Sequence, residues 1–500
     1  MFMYEPLEDS MYDPLAYRLR REFLLLQRND PCITTMKLAP EFNVYDGIGS
    51  AVGNSLYLNK LTLMNVWDED MYLGLAQNRS IESLDMELSG DVLSGPTPDI
   101  DVFYILSPFF EHNPNLRHVA ITLIDLNERL FGSLVSALSK SKVLHSIQFN
   151  SIDDTEEDLA AYQRAAALFG SLRGVSSLLS ITYDDIMNSI GCRALTDLLD
   201  NPACRVHSIE LNNNYLKDDS ISILCNSPRM KSNLSELDLT MNNHVTTTGW
   251  RALFTVLSHP MCSLKLLCLN DTNMDDQGVT YLGDALAGNK TLSWLSLSTN
   301  KGVTTEGWRG FSNCLRSTNC ALRKLYIEWC NIDAISAGIF FTALTGNSNS
   351  RLQELHMTNS RSDLVAVADM DWNLLSCLLC DKSSIDSTYS SNHTLHTVIM
   401  GDGDIDPIPR DIMSILELNT RYDKSSVWRT KILKYNSSRS GSDVRPFAEM
   451  SETVLPIAIE WIGRDHAGFQ LMYEVVKGCP HIIISALRAT SDNAKRKREI

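Results

Sequence analysis

One apolar pattern recurs along most of the chain. The pattern is L-x-x-L-x-L, in which L stands for any apolar residue, and it occurs thirteen times. From Leu178 to Leu352 the successive steps are 28, 28, 30, 28, 30 and 30 residues. The pattern opens at Ile33, Leu58, Ile81, Leu116, Leu144, Leu178, Val206, Leu234, Leu264, Leu292, Leu322, Leu352 and Leu395. Such regular spacing predicts a stack of structural repeats rather than several independent domains.

Each repeat has two halves with different periods. The L-x-L portion alternates with a period of two, which is typical of a strand with one buried face. The second half has helical spacing, as in Gly249, Leu253 and Leu257. A unit of about 29 residues cannot bury its own apolar face, so neighbouring units must stack. We therefore predict a right-handed α/β solenoid of about 13 leucine-rich repeats, with parallel strands on one face and helices on the other.

A longer period is superimposed on the short one. The segment Asn242–Arg251, NNHVTTTGWR, returns 58 residues later at Asn300–Arg309 as NKGVTTEGWR. Asn242 and Asn300 follow their strands, and their amides are expected to hydrogen-bond the backbone of adjacent turns. This alternation of unit lengths resembles the ribonuclease-inhibitor type of leucine-rich repeat protein, over roughly Ile33 to Met400. The resemblance implies a curved horseshoe with strands on the concave face, and a function as a protein-binding scaffold.

The flanking segments predict caps at the two ends of the solenoid. We divide the chain into an N-terminal capping segment (1–30), a leucine-rich repeat domain (31–405), C-terminal capping helices (406–445), a helical C-terminal segment (446–490) and a basic tail (491–500). Capping helices are predicted at Tyr17–Gln27, Arg410–Asn419 and Val427–Tyr435. The Ser-rich insertion Asp381–Asn392 is interpreted as an exposed loop. The segment 446–490 either packs on the solenoid, which its small size favours, or forms a separate module.

Composition excludes several classes of partner. Lys and Arg number 44 against 61 Asp and Glu, giving a formal net charge of −17. We therefore expect no nucleic-acid partner and no membrane partner, since both require a basic face. The twelve cysteines are not closely paired, and the chain starts without a secretory pattern, which predicts free thiols and a cytoplasmic location. The basic run Lys495–Arg498 is either a nuclear-import signal or a solvated tail.

Two motifs approach known chemistry without meeting its requirements. Gly283–Thr291 reads GDALAGNKT, but Asn289 separates glycine from lysine, so we interpret the segment as a helix end followed by a turn. Cys377 and Cys380 have half of a zinc-site spacing, and no second pair exists in the chain. We expect both cysteines on a buried helix face. Because no base is placed beside a nucleophile, we predict no catalytic residues, no metal, no cofactor and no enzymatic activity.

The strand pleat predicts where a partner would bind. In L1-x2-x3-L4-x5-L6-x7, residues x3, x5 and x7 lie on the face opposite the core. In the later repeats these positions, with x8 and neighbouring residues, carry acids and large aromatic residues. The predicted binding residues are Glu210, Glu236, Asp238, Trp294, Tyr326, Glu328, Trp329, Glu354 and His356. A solvated polar face would also be acidic, but exposed Trp and Tyr favour an interaction surface.

Three classes of function remain open from the sequence. The first is a non-catalytic scaffold that binds a protein partner, whose surface the acidic residues predict to be basic. The second is a regulator of a small GTPase, because the repeats resemble those of the activating protein for Ran; that family has an acidic C-terminal tail, whereas this chain ends in KRKRE and isoleucine. The third is an enzyme that uses Glu210 and Asp238 as paired carboxylates, which an open and hydrated sheet disfavours.

Overall fold

The chain divides into two compact units, Met1–Cys268 and Leu269–Ile500. The computed structural model describes residues 14–39, 47–89, 100–124, 128–152, 159–345, 350–358, 370–400, 408–421, 423–435, 450–451 and 454. Within these ranges no helix is both long enough and apolar enough to cross a membrane. The basic tail 491–500 and the segment from Phe447 to Leu487, apart from residues 450–451 and 454, lie outside the described residues.

The first unit alternates strands and helices, and its strands pair in parallel in chain order. The strands are β1 (Thr35–Leu38), β2 (Lys60–Met64), β3 (Ser83–Ser89), β4 (His118–Ile124), β5 (Ser146–Ile152), β6 (Ser180–Asp184), β7 (Ser208–Glu210), β8 (Glu236–Asp238) and β9 (Leu266–Cys268). The helices are α1 (Pro14–Gln27), α2 (Ile48–Asn54), α3 (Glu69–Leu75), α4 (Val102–His112), α5 (Glu128–Leu138), α6 (Leu159–Leu172), α7 (Ser189–Leu199), α8 (Asp218–Asn226), α9 (Pro228–Ser232) and α10 (Thr247–Leu257).

The second unit continues the same alternation. Its strands are β10 (Trp294–Ser296), β11 (Lys324–Tyr326), β12 (Glu354–His356) and β13 (Thr397–Ile399). Its helices are α11 (Asp276–Gly288), α12 (Thr305–Ser312), α13 (Ala334–Leu344), α14 (Trp372–Leu379), α15 (Ile385–Ser390), α16 (Arg410–Asn419) and α17 (Lys424–Tyr435), with a 3-10 turn at Asn313–Arg316. The helices predicted near residues 17–27, 410–419 and 427–435 are therefore present.

The predicted repeat register is confirmed. Each strand in the described residues begins two residues after one of the thirteen pattern openings, at position x3. The apolar positions L4 and L6 are buried, as at Leu237 and Leu239 in the first unit and Leu295 and Leu297 in the second. The α/β leucine-rich repeat solenoid follows directly from this alternation, because each strand and helix buries its apolar side against the next repeat.

The asparagine ladder is also present. Asn300 Nδ2 donates hydrogen bonds to the carbonyls of Leu269 (2.7 Å) and Leu297 (2.7 Å). Its Oδ1 accepts from the backbone N–H groups of Thr272 and Met274, both at 3.1 Å. In the first unit Asn242 makes the equivalent contacts. A buried amide that uses both its donors and its acceptor in this way connects two consecutive turns that have no regular pairing.

The two alternating repeat types differ in how their helices begin. The N-cap residue of helix α10, Thr246, donates hydrogen bonds from its N–H (2.8 Å) and its hydroxyl (2.6 Å) to Asp218, the first residue of helix α8 in the preceding repeat. Asp276 accepts the same pair from Thr304 before helix α12, both at 2.6 Å. Helices α8 and α11, which contribute these carboxylates, are not capped in this way; α11 uses the adjacent Asp275. An aspartate of one repeat type therefore accepts hydrogen bonds from the threonine before the helix of the next repeat.

Glycine brings two helices of the first unit into close contact. A Cβ atom placed on Gly74 of α3 would lie 1.9 Å from the carbonyl oxygen of Gly49 on α2. A Cβ atom on Gly49 would lie 2.1 Å from the carbonyl oxygen of Asp70. These distances are far below van der Waals contact, and both neighbours are backbone atoms. Only glycine allows this helix packing.

Two expectations for the second unit are wrong. The insertion Asp381–Asn392 is not an exposed loop, because it contains helix α15 and buries Thr388, whose hydroxyl donates to the Asp381 carbonyl at 2.6 Å. Cys377 is exposed, and only Cys380 is buried. Cys380 follows the last residue of α14, so the two cysteines do not share one helix face.

A buried lysine fixes the last helix of the second unit. Lys431 on α17 is fully buried, and its Nζ donates to the carbonyls of Leu379 (2.6 Å) and Asn392 (3.1 Å) and to His393 Nδ1 (3.1 Å). His393 Nε2 then donates to the Tyr389 carbonyl at 3.0 Å. Burial lowers the pKa of Lys431 to about 7. Burial and the nearby Lys431 lower the pKa of His393 to about 4, which keeps the imidazole neutral.

Candidate functional site

The open face of the second unit is built from the outward positions of three short strands. In β10, β11 and β12 the central leucine is buried, and the first and third residues point to the opposite face. The register aligns Trp294, Lys324 and Glu354 in the x3 row. The x5 row contains Tyr326 next to His356. The repeat register therefore decides which of these side chains meet.

Three aromatic rings contact each other across these strands. The Trp294 and Tyr326 rings lie 5.7 Å apart between centroids and are nearly perpendicular, at 88°. The Tyr326 and His356 rings lie 4.2 Å apart at 32°. All three side chains are partly exposed. We call Trp294, Tyr326 and His356 the aromatic row. Such contacts orient the rings and contribute roughly 0.5–1.5 kcal/mol per pair beyond burial.

Glu354 is the charged centre of this face. Its Oε1 lies 3.0 Å from Lys324 Nζ, and its Oε2 accepts a hydrogen bond of 3.3 Å from the Tyr326 hydroxyl. Partial burial would raise the pKa of Glu354, but the hydrogen bond and charge of Lys324 lower it. The pKa of Lys324 is raised mainly by its hydrogen bond to Glu354. Partial burial and then the charge of Glu354 raise the pKa of Tyr326.

Glu328 and Trp329 follow β11 at positions x7 and x8. Glu328 Oε1 lies 3.5 Å from His356 Nδ1, and the Glu328 side chain is 31% exposed. Trp329 is 44% exposed and has a left-handed backbone with φ 60°. Its N–H donates to the Thr358 carbonyl at 2.7 Å, which ties this conformation to the next repeat. A bulky residue in this backbone region is rare.

The same backbone conformation recurs at x8 in preceding repeats. Left-handed residues there are Asn213, Met241, Asp271 and Thr299. Asn213, Asp271 and Thr299 are smaller and polar, whereas Met241 and Trp329 are large and exposed, at 46% and 44%. Trp329 is therefore a large exposed aromatic residue that directly follows Glu328 in the chain.

The first unit holds the other three predicted residues on its own open face. Glu210 and Asp238 are directly aligned on β7 and β8, and Glu236 precedes Asp238 on β8 by two residues. Thr182 donates a hydrogen bond to Glu210 (3.1 Å), and Ser208 donates one to Glu236 (3.0 Å). These carboxylates are therefore solvated and hydrogen-bonded by hydroxyl groups. Across the described ranges no group of three or more His, Cys, Asp or Glu residues is arranged to hold a metal ion.

The neighbouring motifs have structural roles. Gly283–Thr291 contains the end of helix α11 and a turn, in which Asn289 Oδ1 accepts hydrogen bonds from the N–H groups of Thr291 (2.9 Å) and Leu292 (2.7 Å), as predicted. None of the 11 cysteines in the described part of the chain forms a disulfide.

Sequence reasoning missed the pairing of Lys324. The sequence shows Lys324 only as a lone cation among acids. Its alignment with Glu354 in the x3 column was the signal that could have found the pair. The cluster around Lys431 gave no comparable signal, because its acceptors are backbone carbonyls from distant segments.

Comparison with known proteins gives a consistent group of relatives. No family model matches the chain. Ribonuclease inhibitor of Mus musculus is 29% identical over 204 residues, which are 41% of this chain and 42% of the inhibitor. Ribonuclease inhibitor of Sus scrofa is 28% identical over 202 residues, 40% and 43% of the two chains. NACHT, LRR and PYD domains-containing protein 14 of Homo sapiens is 25% identical over 251 residues, 48% of this chain and 22% of that protein. The matches span less than half the length of these relatives.

Proposed function

Because this chain is a leucine-rich repeat protein of the ribonuclease-inhibitor type, we propose that it is a non-catalytic scaffold that binds a protein partner. The binding surface is the open face of the second unit, centred on the aromatic row with Glu328, Trp329 and Glu354. The observation that carries the proposal is the contact of three partly exposed rings on a sheet face with no core to fill. Aromatic residues in such positions are typical anchors of protein interfaces.

The partner presents a basic surface in this proposal. The net charge of the chain is −17. On the open face of the second unit Lys324 is engaged by Glu354 at 3.0 Å, which leaves Glu328 as the open charge next to the rings. A negative face raises the association rate of a positive partner more than it raises affinity. In the first unit, Glu210, Glu236 and Asp238 give its own open face a negative charge.

The positions of the cysteines support a cytoplasmic location. Eight of the 11 described cysteines are buried, where their thiols serve as small apolar groups. Burial raises the pKa of Cys192, Cys225 and Cys330 to about 12, so these thiols stay protonated and unreactive. Such cysteines need neither disulfides nor a metal.

The test is affinity capture with quantitative mass spectrometry. Wild-type protein, the double variant Trp294→Ala/Tyr326→Ala and the control Tyr104→Ala would be compared as baits. Tyr104 lies on helix α4 and is 76% exposed, so its loss removes an aromatic surface residue away from the open face. A partner retained by the wild type and the control, and lost by the double variant, is the expected result.

Two other outcomes have defined meanings. If a partner is captured equally well by the wild type and by every variant, the binding surface lies elsewhere. The captured partner could instead be a small GTPase whose rate of GTP hydrolysis this protein increases. That result would replace the scaffold function by GTPase regulation, the alternative that the sequence leaves open.

A further inference from the structure

We infer that the open face of the second unit holds an arginine side chain of the protein partner, between the aromatic row and the Glu328 carboxylate. This inference rests on the proposed function, and it adds the chemistry of the group that is recognised. The inference rests on two observations: Glu354 is already paired on this face whereas Glu328 is not paired with a lysine or arginine among the described residues, and the aromatic rings are partly exposed.

Glu354 is not the carboxylate that receives the partner. Both of its oxygens are in use, since Oε1 lies 3.0 Å from Lys324 Nζ and Oε2 accepts from the Tyr326 hydroxyl. Its side chain is 20% exposed. An incoming cation would have to displace Lys324 from a hydrogen-bonded ion pair, so Glu354 orients the face rather than binding the partner's charge.

Glu328 has the open charge. Among the described residues its ion-pair neighbour is His356, at 3.5 Å, beyond the length of a good charged hydrogen bond and charged only when the imidazole is protonated. The Glu328 side chain is more exposed than that of Glu354, at 31% against 20%. A carboxylate without a lysine or arginine, next to aromatic rings, is complementary to a cationic side chain that brings its own apolar surface.

The rings around Glu328 favour a flat cation. The aromatic row reaches the carboxylate through His356, and Trp329 follows Glu328 directly in the chain with 44% of its surface exposed. The perpendicular Trp294 and Tyr326 rings offer both a ring face and a ring edge. Cations are attracted to the faces of aromatic rings, most strongly to indole.

Guanidinium fits this combination better than ammonium. It is planar, weakly hydrated and able to stack on a ring while donating two parallel hydrogen bonds to one carboxylate. Ammonium is a compact and strongly hydrated charge, and it would lose more hydration on entering a face with several rings. We therefore assign arginine rather than lysine.

The experiment uses a random peptide library displayed on phage and selected on the full-length protein. Peptides that bind the wild type and are lost on Trp294→Ala would be synthesised. Binding would then be measured by calorimetry for each peptide and for versions in which every arginine is replaced by lysine or by citrulline. Citrulline keeps the planar shape and removes the charge, so it separates stacking from electrostatics. Glu328→Gln is the corresponding change in the protein, and Glu306→Gln, an exposed carboxylate on helix α12, is its control.

The expected result is that the selected peptides contain arginine. Citrulline and Glu328→Gln should each weaken binding about 10-fold or more, and lysine should weaken it less than citrulline does. Combining citrulline with Glu328→Gln should cost little more than either change alone, because both remove the same contact.

The contrary results separate the two proposals. Peptides that depend on Trp294 but bind equally well with citrulline overturn the arginine assignment and leave the docking surface standing. A library that yields no binder sensitive to Trp294→Ala or Tyr326→Ala overturns the docking surface and the arginine assignment together.

Discussion

Replacing Lys431 by methionine should remove a specific pH dependence from the docking of helix α17. Burial lowers the pKa of Lys431 from 10.5 to about 7 in the folded protein. When α17 detaches, the amine is hydrated and its pKa returns to the higher value. Between these two values the detached state binds more protons than the docked state. The free energy of detachment therefore rises with pH across this window and levels off below it.

The size of the effect follows from the two pKa values. Each unit of pH changes the free energy by at most about 1.36 kcal/mol per proton. Integrated from pH 7 to pH 8.5, the stabilisation of docking by deprotonation is about 1.6 kcal/mol, or about 15-fold in the opening equilibrium. This interval avoids most of the titration of His393, whose pKa is about 4 when docked. His393 and Cys380 are retained in the variant, so their contributions cancel in the comparison.

The assay is hydrogen–deuterium exchange of peptides from residues 424–435, converted to protection factors so that the intrinsic pH dependence of exchange is removed. Protection in the wild type should rise about 15-fold more than in Lys431→Met over this interval. Lys434→Met is the control, because Lys434 is exposed on the same helix. Identical pH profiles for the wild type and Lys431→Met would refute the burial of the amine against the carbonyls of Leu379 and Asn392.

Three further predictions concern the repeats. Gly74→Ala should destabilise the first unit by several kcal/mol in thermal or urea unfolding, because a Cβ atom would lie 1.9 Å from a backbone oxygen, whereas Gly132→Ala, with nothing within 4 Å, should be neutral or stabilising. Asn300→Ala should cost about 2–4 kcal/mol, since it removes five hydrogen bonds and leaves buried backbone groups unpaired, while exposed Asn243→Ala should change stability by less than about 0.5 kcal/mol. Thiol titration of the denatured protein without reductant should detect nearly all twelve cysteines, and several native disulfides would contradict the cytoplasmic location.

The regular part of the fold could be predicted from the sequence because every repeat has the same spacing of apolar residues. An apolar residue at L4, such as Leu295, must be buried whatever its neighbours are, so the strand and its register follow from spacing alone. The hydrogen bonds of Asn300 were also predictable, because the backbone groups of two adjacent turns need partners. Where the period is interrupted, this reasoning fails. Helix α15 lies in a Ser-rich segment that packs against helix α17, with the Tyr389 and Trp428 ring centroids 5.2 Å apart, a contact that forms only in three dimensions.

The candidate site was predictable as a set of positions but not as a network. The pleat places Trp294 and Tyr326 on one face, and the register brings them to neighbouring strands. The alignment of Lys324 with Glu354 could have indicated their ion pair, but the hydrogen bond from Tyr326 to Glu354 and the greater exposure of Glu328 depend on side-chain conformations that no sequence pattern shows. The left-handed backbone of Trp329 was likewise hidden, since tryptophan carries no sequence preference for that conformation.

The hydrogen bonds between the aspartate of one repeat and the threonine of the next restrict how a solenoid of this kind can change in length. Thr246 and Thr304 each begin a helix that depends on an aspartate from the repeat before it. Loss of a single repeat between them would join two repeats of one type, so that a threonine would have no aspartate to accept its hydrogen bonds, or an aspartate would have no threonine to bind. Loss or gain of two repeats, the 58 residues from Asn242 to Asn300, keeps every aspartate beside its threonine. Between Val206 and Leu322 the unit that can be duplicated or removed is therefore the repeat pair, and engineered changes of length there should be tolerated in even numbers of repeats.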